Sequence, residues 1–185
     1  MQNNNDETKP SPSPIYDSAE VKVAAVYGFD NDYVLAIGKN SNYYCDKFHN
    51  IDKRKSEFSW NWAALLCGPM WLVYRKMYVL GITTIIISNI PAYINKASYK
   101  FVTLLLSLFW ASFGNAIYKR RLDRTIKYSK TGQEGWKTGY LKTFSGVSIL
   151  AVIIIYALSF LAFYILSTQG INPVFAEIPN WLDWG

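Results

Sequence analysis

FSGVSILAVIIIYALSFLAFYIL, Phe144 to Leu166, is twenty-three residues without a charge. As a helix rising about 1.5 Å per residue it extends about 34 Å, and a bilayer's hydrocarbon core is about 30 Å thick. No soluble domain of 185 residues needs such an element, so the run places the chain in a membrane. Composition agrees. Hydrophobic residues make up 51% of the chain, yet mean hydropathy is close to zero, as in a chain with a polar front and an apolar back. Trp, Tyr and Phe reach 17% and gather at the ends of apolar runs, where amphipathic rings rest among headgroups.

Three further apolar stretches precede this run. Trp60–Tyr74 is fifteen residues, about 22 Å of helix, too short to span, and Gly68-Pro69 breaks it. Residues 77–94 and 101–118 are long enough to cross. Charge orders them. With residues 1–76 and 119–143 in the cytosol, nine and eight of the nineteen Lys and Arg lie inside, and only Lys96 and Lys100 lie outside. A full crossing by 60–74 would instead export the basic 119–143 connection, against the positive-inside bias. The expected fold class is therefore an all-α integral membrane protein. It has three transmembrane helices (77–94, 101–118, 144–166) and one re-entrant or interfacial helical hairpin (60–74). A small cytosolic helical region completes it.

The front of the chain is polar. Residues 1–16 form a Pro/Ser-rich tail expected to be disordered and cytosolic, with no signal-peptide pattern. Residues 17–57 hold three short helices. Asp17 or Ser18 caps the first, which Gly28 ends; Asp30 caps the second, which Gly38 ends; Asn40 or Ser41 caps the third. The third places Tyr44, Phe48 and Ile51 on one face. A strand over VKVAAVYGF is the competing reading of the first. The membrane domain then covers 58–167, and 168–185 is an external tail.

SWNWAALLCGPMWLVYRKMY, Ser59 to Tyr78, is the most distinctive text. It resembles the NWAAFFFGPLWLLYRKMY-like box of a bacterial membrane-protein family, the domain-of-unknown-function 2628 family. IGKNSNYYCDKF (Ile37–Phe48) and GNAIYKRRLDRTI (Gly114–Ile126) are similar to the flanks of that box in the family. The resemblance covers roughly residues 30–130. It implies a small multi-pass protein of the bacterial cytoplasmic membrane with no assigned activity. Some relatives carry an N-terminal zinc ribbon whose cysteines are absent here, so no metal is carried over.

The box has a physical reading of its own. Asn61, Trp62, Gly68, Pro69, Trp71 and Tyr74 form a packing and anchoring motif, with a ligand or lipid site at the Gly-Pro break as the sharper alternative. Arg75 and Lys76 stand where lipid phosphates begin.

Chemistry is thin. Cys45, Cys67 and His49 do not make a zinc set, and Asp30-Asn31-Asp32 lacks the glycine and glutamate of a calcium loop. Gly132–Gly139 is glycine-rich but lacks the P-loop order. No enzyme, metal or cofactor is expected. The spans hold no ionisable residue, which argues against a carrier.

Residues 1–59 carry a net −2 and 119–143 a net +6, facing one compartment. The basic segment is read as topology control, as an anionic-lipid or partner site (Lys119, Arg120, Arg121, Arg124, Lys127, with Arg75 and Lys76), or as a dock for the acidic front. Nucleic acid is not indicated. The leading expectation is a non-enzymatic interaction or membrane-sensing protein with its N-terminus cytosolic and its C-terminus outside. The alternative is a subunit of an oligomeric channel or small-molecule exporter.

Overall fold

The computed structural model describes residues 18–90, 96–132 and 136–168. The expected N-terminal tail, the Pro91 end of the first span, part of the basic connection and all but the first residue of the external tail lie outside them. Among the described residues there are nine helices and no strand. The front supplies α1 (Ser18–Val26), α2 (Asn31–Ile37) and α3 (Ser41–Arg54). VKVAAVYGF is thus helical, ending in a turn at Gly28, where φ is +80°. Asp30 and Gly38 flank α2 as cap residues, and Asn40 precedes α3 in the left-handed region.

The distinctive box folds as α4 (Trp62–Cys67) and α5 (Pro69–Tyr74). Gly68 joins them at φ 49°, ψ −125°, where a Cβ is strained, and Pro69 opens α5 at the position where its missing N–H costs least. The pair packs on α7 (Lys96–Ser129), a single helix of 34 residues, about 51 Å long. Asn61 bonds to Asn115 of α7. Gly68 faces Ser107, Trp71 lies on Gly114, and Arg75 reaches Tyr118. Both ends of the hairpin therefore meet the same stretch of α7, and its tip meets α7 eleven residues nearer that helix's N-terminus than Tyr118, about 16 Å away.

α6 (Tyr78–Asn89) turns back against α5, with Gly81 seated on Val73 and Pro69. It has 12 residues, about 18 Å, short of a hydrocarbon core on its own. α8 (Trp136–Phe144) crosses to α2, and α9 (Ile149–Thr168) follows a turn at Gly146. The uncharged run thus does not begin a helix at Phe144: its first residues close α8 and form the turn. Two stretches are long and apolar enough to cross a membrane by length and composition, Ser98–Ser129 and Trp136–Ala162.

Burial divides the molecule. Val34, Ile37, Tyr44, Phe48, Leu72, Met77, Tyr118, Leu122, Ile126 and Leu141 share one core, where α2, α3, α5, α8 and the C-terminal half of α7 converge. Elsewhere large apolar side chains point outward. On α6 these include Val79, Ile82, Ile86 and Ile87; on α7 Phe101, Leu104, Leu105, Phe109 and Phe113; on α9 Ile149, Ile153, Phe160 and Leu161.

Candidate functional site

The box residues first pin their own hairpin. The Asn61 side-chain oxygen caps α4 by accepting from the Ala64 N–H at 3.0 Å, and its amide donates to Asn115 Oδ1 at 2.8 Å. Asn115 in turn donates to Ser59 Oγ at 3.1 Å. The Ser59 and Asn61 backbone N–H groups donate to the Ser112 and Ala111 carbonyls of α7. Each buried polar group in this bridge finds a partner, and Gly114 leaves room for the Trp71 ring, whose indole N–H donates to the Tyr44 hydroxyl at 3.2 Å.

The Arg75–Lys76 junction follows. Arg75 is buried and has no carboxylate partner among the described residues. Its guanidinium donates to the Ile37 and Lys39 carbonyls at 3.2 Å each, at the C-terminal end of α2. It lies 4.1 Å from the Tyr44 ring centroid and 5.3 Å from that of Tyr118. Two sources of negative potential, a helix C-terminus and aromatic faces, thus hold the charge. Lys76 has a left-handed backbone (φ 57°) and points to a different helix end. Its amine donates to the Lys142 and Thr143 carbonyls, at 2.9 and 3.2 Å, in the last turn of α8. The adjacent cations of one dipeptide therefore tie down two helix C-termini.

A family model for proteins of unknown function, DUF2628, matches residues 30–124. The chain belongs to the DUF2628 family. Comparison with curated proteins and with solved structures gives no significant match. The matched DUF2628 segment runs from Asp30 at the cap of α2 to Arg124 on α7. It contains both junctions described above, while α8 and α9 lie beyond it.

The remaining candidate cations of this DUF2628 protein have separate fates. Lys119 pairs with Asp52 at 3.1 Å and with Asp123 at 3.3 Å; Arg120 pairs with Glu57. Arg121 donates to the Phe144 carbonyl at 3.1 Å. Arg124 and Lys127 are exposed on α7 and form no ion pair among the described residues. Trp62 is exposed on α4 and lies edge-on to Trp60, 5.3 Å away. Tyr74 turns its ring toward Arg75, and its carbonyl accepts from Ser148 N–H.

Sequence reasoning offered docking of the acidic front on the basic segment but did not name Asp30, Asp32 or Asp52 as the partners. Asp32, mostly buried, takes Lys137 at 2.6 Å and Lys130 at 3.5 Å, and Asp30 takes Lys130 at 3.2 Å. Tyr33 donates to Asp123. Burial and that carboxylate push the Tyr33 hydroxyl's pKa well above its ordinary value. The signal was present in the opposite net charges of residues 1–59 and 119–143. Among the described residues no three His, Cys, Asp or Glu side chains converge in a way that could hold a metal. Cys45 is buried, Cys67 is exposed, and His49 lies 5.4 Å from the Tyr27 ring.

Proposed function

We propose that this DUF2628 protein is a non-enzymatic membrane protein that presents a helical cytosolic face to the bilayer surface or to a protein partner. In this reading 77–94, of which α6 is a part, α7 and α9 are three spans, and α4–α5 enters and leaves from the cytosolic side. One observation carries it. Along α7, large exposed apolar residues run from Phe101 to Phe113, no charged residue lies between Lys100 and Lys119, and a cluster of charged residues follows. A boundary near Tyr118 leaves about 30 Å of α7 from Ser98, which matches a hydrocarbon core. The hairpin tip at Ser107 then reaches about half the bilayer, with its Gly68 break against α7 rather than open to lipid.

The exposed apolar surfaces of α6 and α9 favour lipid as their surroundings, since contiguous patches of that kind are rare on soluble monomers. Asp30, Asp32 and Asp52 tie the front helices to the basic end of α7 and to α8, so the cytosolic face is a folded surface rather than a loose loop. Site-specific photocrosslinking in cells from Lys127 and Lys53 tests the role. A discrete partner band or crosslinked lipid at these positions is expected. Absence of both, with a closed ring of protomers in detergent, favours the channel reading instead.

A further inference from the structure

The cations at the boundary differ in what balances them. Lys119, Arg120, Lys130 and Lys137 each have a carboxylate. Lys76 and Arg121 have none among the described residues. Both instead donate to consecutive carbonyls, Lys142, Thr143 and Phe144, at one end of α8. A helix C-terminus supplies roughly half a negative charge, so two full positive charges leave an excess of about one and a half. The two groups feel each other: burial, and then the charge of Arg121, push the Lys76 amine's pKa down. Lys76, whose backbone is left-handed (φ 57°), reaches the same end of α8 as Arg121.

The surroundings define the ligand. Tyr78 and Tyr140 are electrostatic neighbours of Arg121. Phe144 is exposed and stacks on Tyr140 at 4.7 Å, and Tyr140 on Trp136 at 4.5 Å. The exposed apolar surfaces of α6 and α9 begin beside them, at Val79 and Ile149. An anion held here has a polar side toward the cations and an apolar side along the spans. We propose that Lys76 and Arg121, at the C-terminal end of α8, bind the phosphate of an anionic lipid headgroup. This rests on the membrane reading above and narrows its seven candidate cations to two.

Native mass spectrometry of the full chain in neutral detergent, titrated with phosphatidylglycerol or phosphatidylcholine, tests it. Phosphatidylglycerol is expected to bind preferentially. Lys76→Gln and Arg121→Gln should each weaken it about fivefold, equivalent to ~1 kcal/mol per basic residue near a membrane surface. The double variant should lose the preference. Arg121→Lys should retain part of it, and Arg124→Gln with Lys127→Gln should change it less than twofold. Circular dichroism shows whether each variant keeps its helices; if Lys76→Gln unfolds, the Arg121→Gln and Arg121→Lys pair decides. Equal losses at Arg124 and Lys127, or an unchanged double variant, overturn the site. Full competition by inorganic phosphate overturns the lipid as its source. A chain that fails to insert into vesicles at all overturns the membrane reading; one that inserts without this preference overturns only the site.

Discussion

At Arg75 a guanidinium is 1% exposed and, among the described residues, has no carboxylate beside it. Two α2-end carbonyls and the Tyr44 face hold it, and its Nε lacks a partner. An isolated buried charge costs several kcal/mol, so this arrangement tolerates little change. Lysine keeps the charge but loses the planar fork that spans two carbonyls and stacks on a ring. We expect Arg75→Lys to lower stability by about 2–3 kcal/mol, because buried acceptors left unmet cost about 1–3 kcal/mol each. Hydrogen exchange should rise at residues 37–40 before it rises in α7. Unaltered exchange there would show that Arg75 does not hold α2 to the hairpin.

Lys76 gives a pH effect with a definite sign. Its folded pKa is lowered from 10.5, so the fold disfavours the charged form. Stability gains as pH rises through that lowered value toward 10.5, the reverse of a lysine in a salt bridge. Anionic-lipid binding that depends on this charge fades over the same window. The binding difference between the natural chain and Lys76→Gln should therefore vanish below the ordinary lysine range, while the Arg121 contribution persists. Lipid titrations across alkaline pH measure both.

Two glycines separate packing from propensity at the level of elements. A Cβ at Gly81 stands 2.7 Å from Val73 Cγ2 and 3.3 Å from the Pro69 carbonyl, so α5 and α6 touch through their backbones there. Gly81→Ala should cost about 1–3 kcal/mol through overpacking. Gly139 inside α8 meets nothing within 4 Å, and Gly139→Ala should gain about 0.5–1 kcal/mol from helix propensity. Thermal midpoints moving in opposite directions test the pair.

Asp32 acts between elements, bridging Lys130 after α7 and Lys137 on α8. Both lysines are half-exposed, and such pairs contribute about 1 kcal/mol or less and weaken with salt. Asp32→Asn should raise exchange in α2 modestly, as added salt does in the natural chain. A large loss of fold would mean that Asp32 does more than latch α2.

What the sequence made legible at this scale follows from where its signals are local. Gly38 and Gly68 mark helix ends because the backbone there takes a positive φ that favours glycine, while Asp30 stands before α2 without a side-chain cap bond. The RK dipeptide gave no hint of two separate destinations, since the carbonyls it caps are 36 to 67 residues away. Apolar composition misplaced the last helix start: Phe144–Ser148 is uncharged, yet Ser145-Gly146 is a turn signal inside the run. Conversely, no Pro or chain break separates Phe101–Tyr118 from the basic residues after it, and α7 passes straight through.

For the molecule as a whole, Asp30, Asp52 and Glu57 of the front pair with Lys130, Lys119 and Arg120, and these ion pairs join the front and the basic connection in one folded unit. The exposed apolar side chains of α7 lie at its N-terminal end, with Lys100 near that terminus and Arg124 and Lys127 near the other. If α7 crosses a bilayer, these cations lie on opposite sides. In a background with Cys45→Ala and Cys67→Ser, a membrane-impermeant maleimide added to intact cells should label Lys100→Cys and spare Lys127→Cys. Opening the cells should expose Lys127→Cys and also Lys53→Cys, because α3 packs on the same end of α7. With only Cys67 retained, labelling should stay slow from both sides, since it precedes the Gly68 tip about 16 Å below Tyr118. Rapid labelling of Lys127→Cys from outside reverses the orientation. Rapid labelling of Cys67 from the side opposite Lys127 would mean that α4 crosses, and Asn61 and Arg75 could not then both meet the same end of α7.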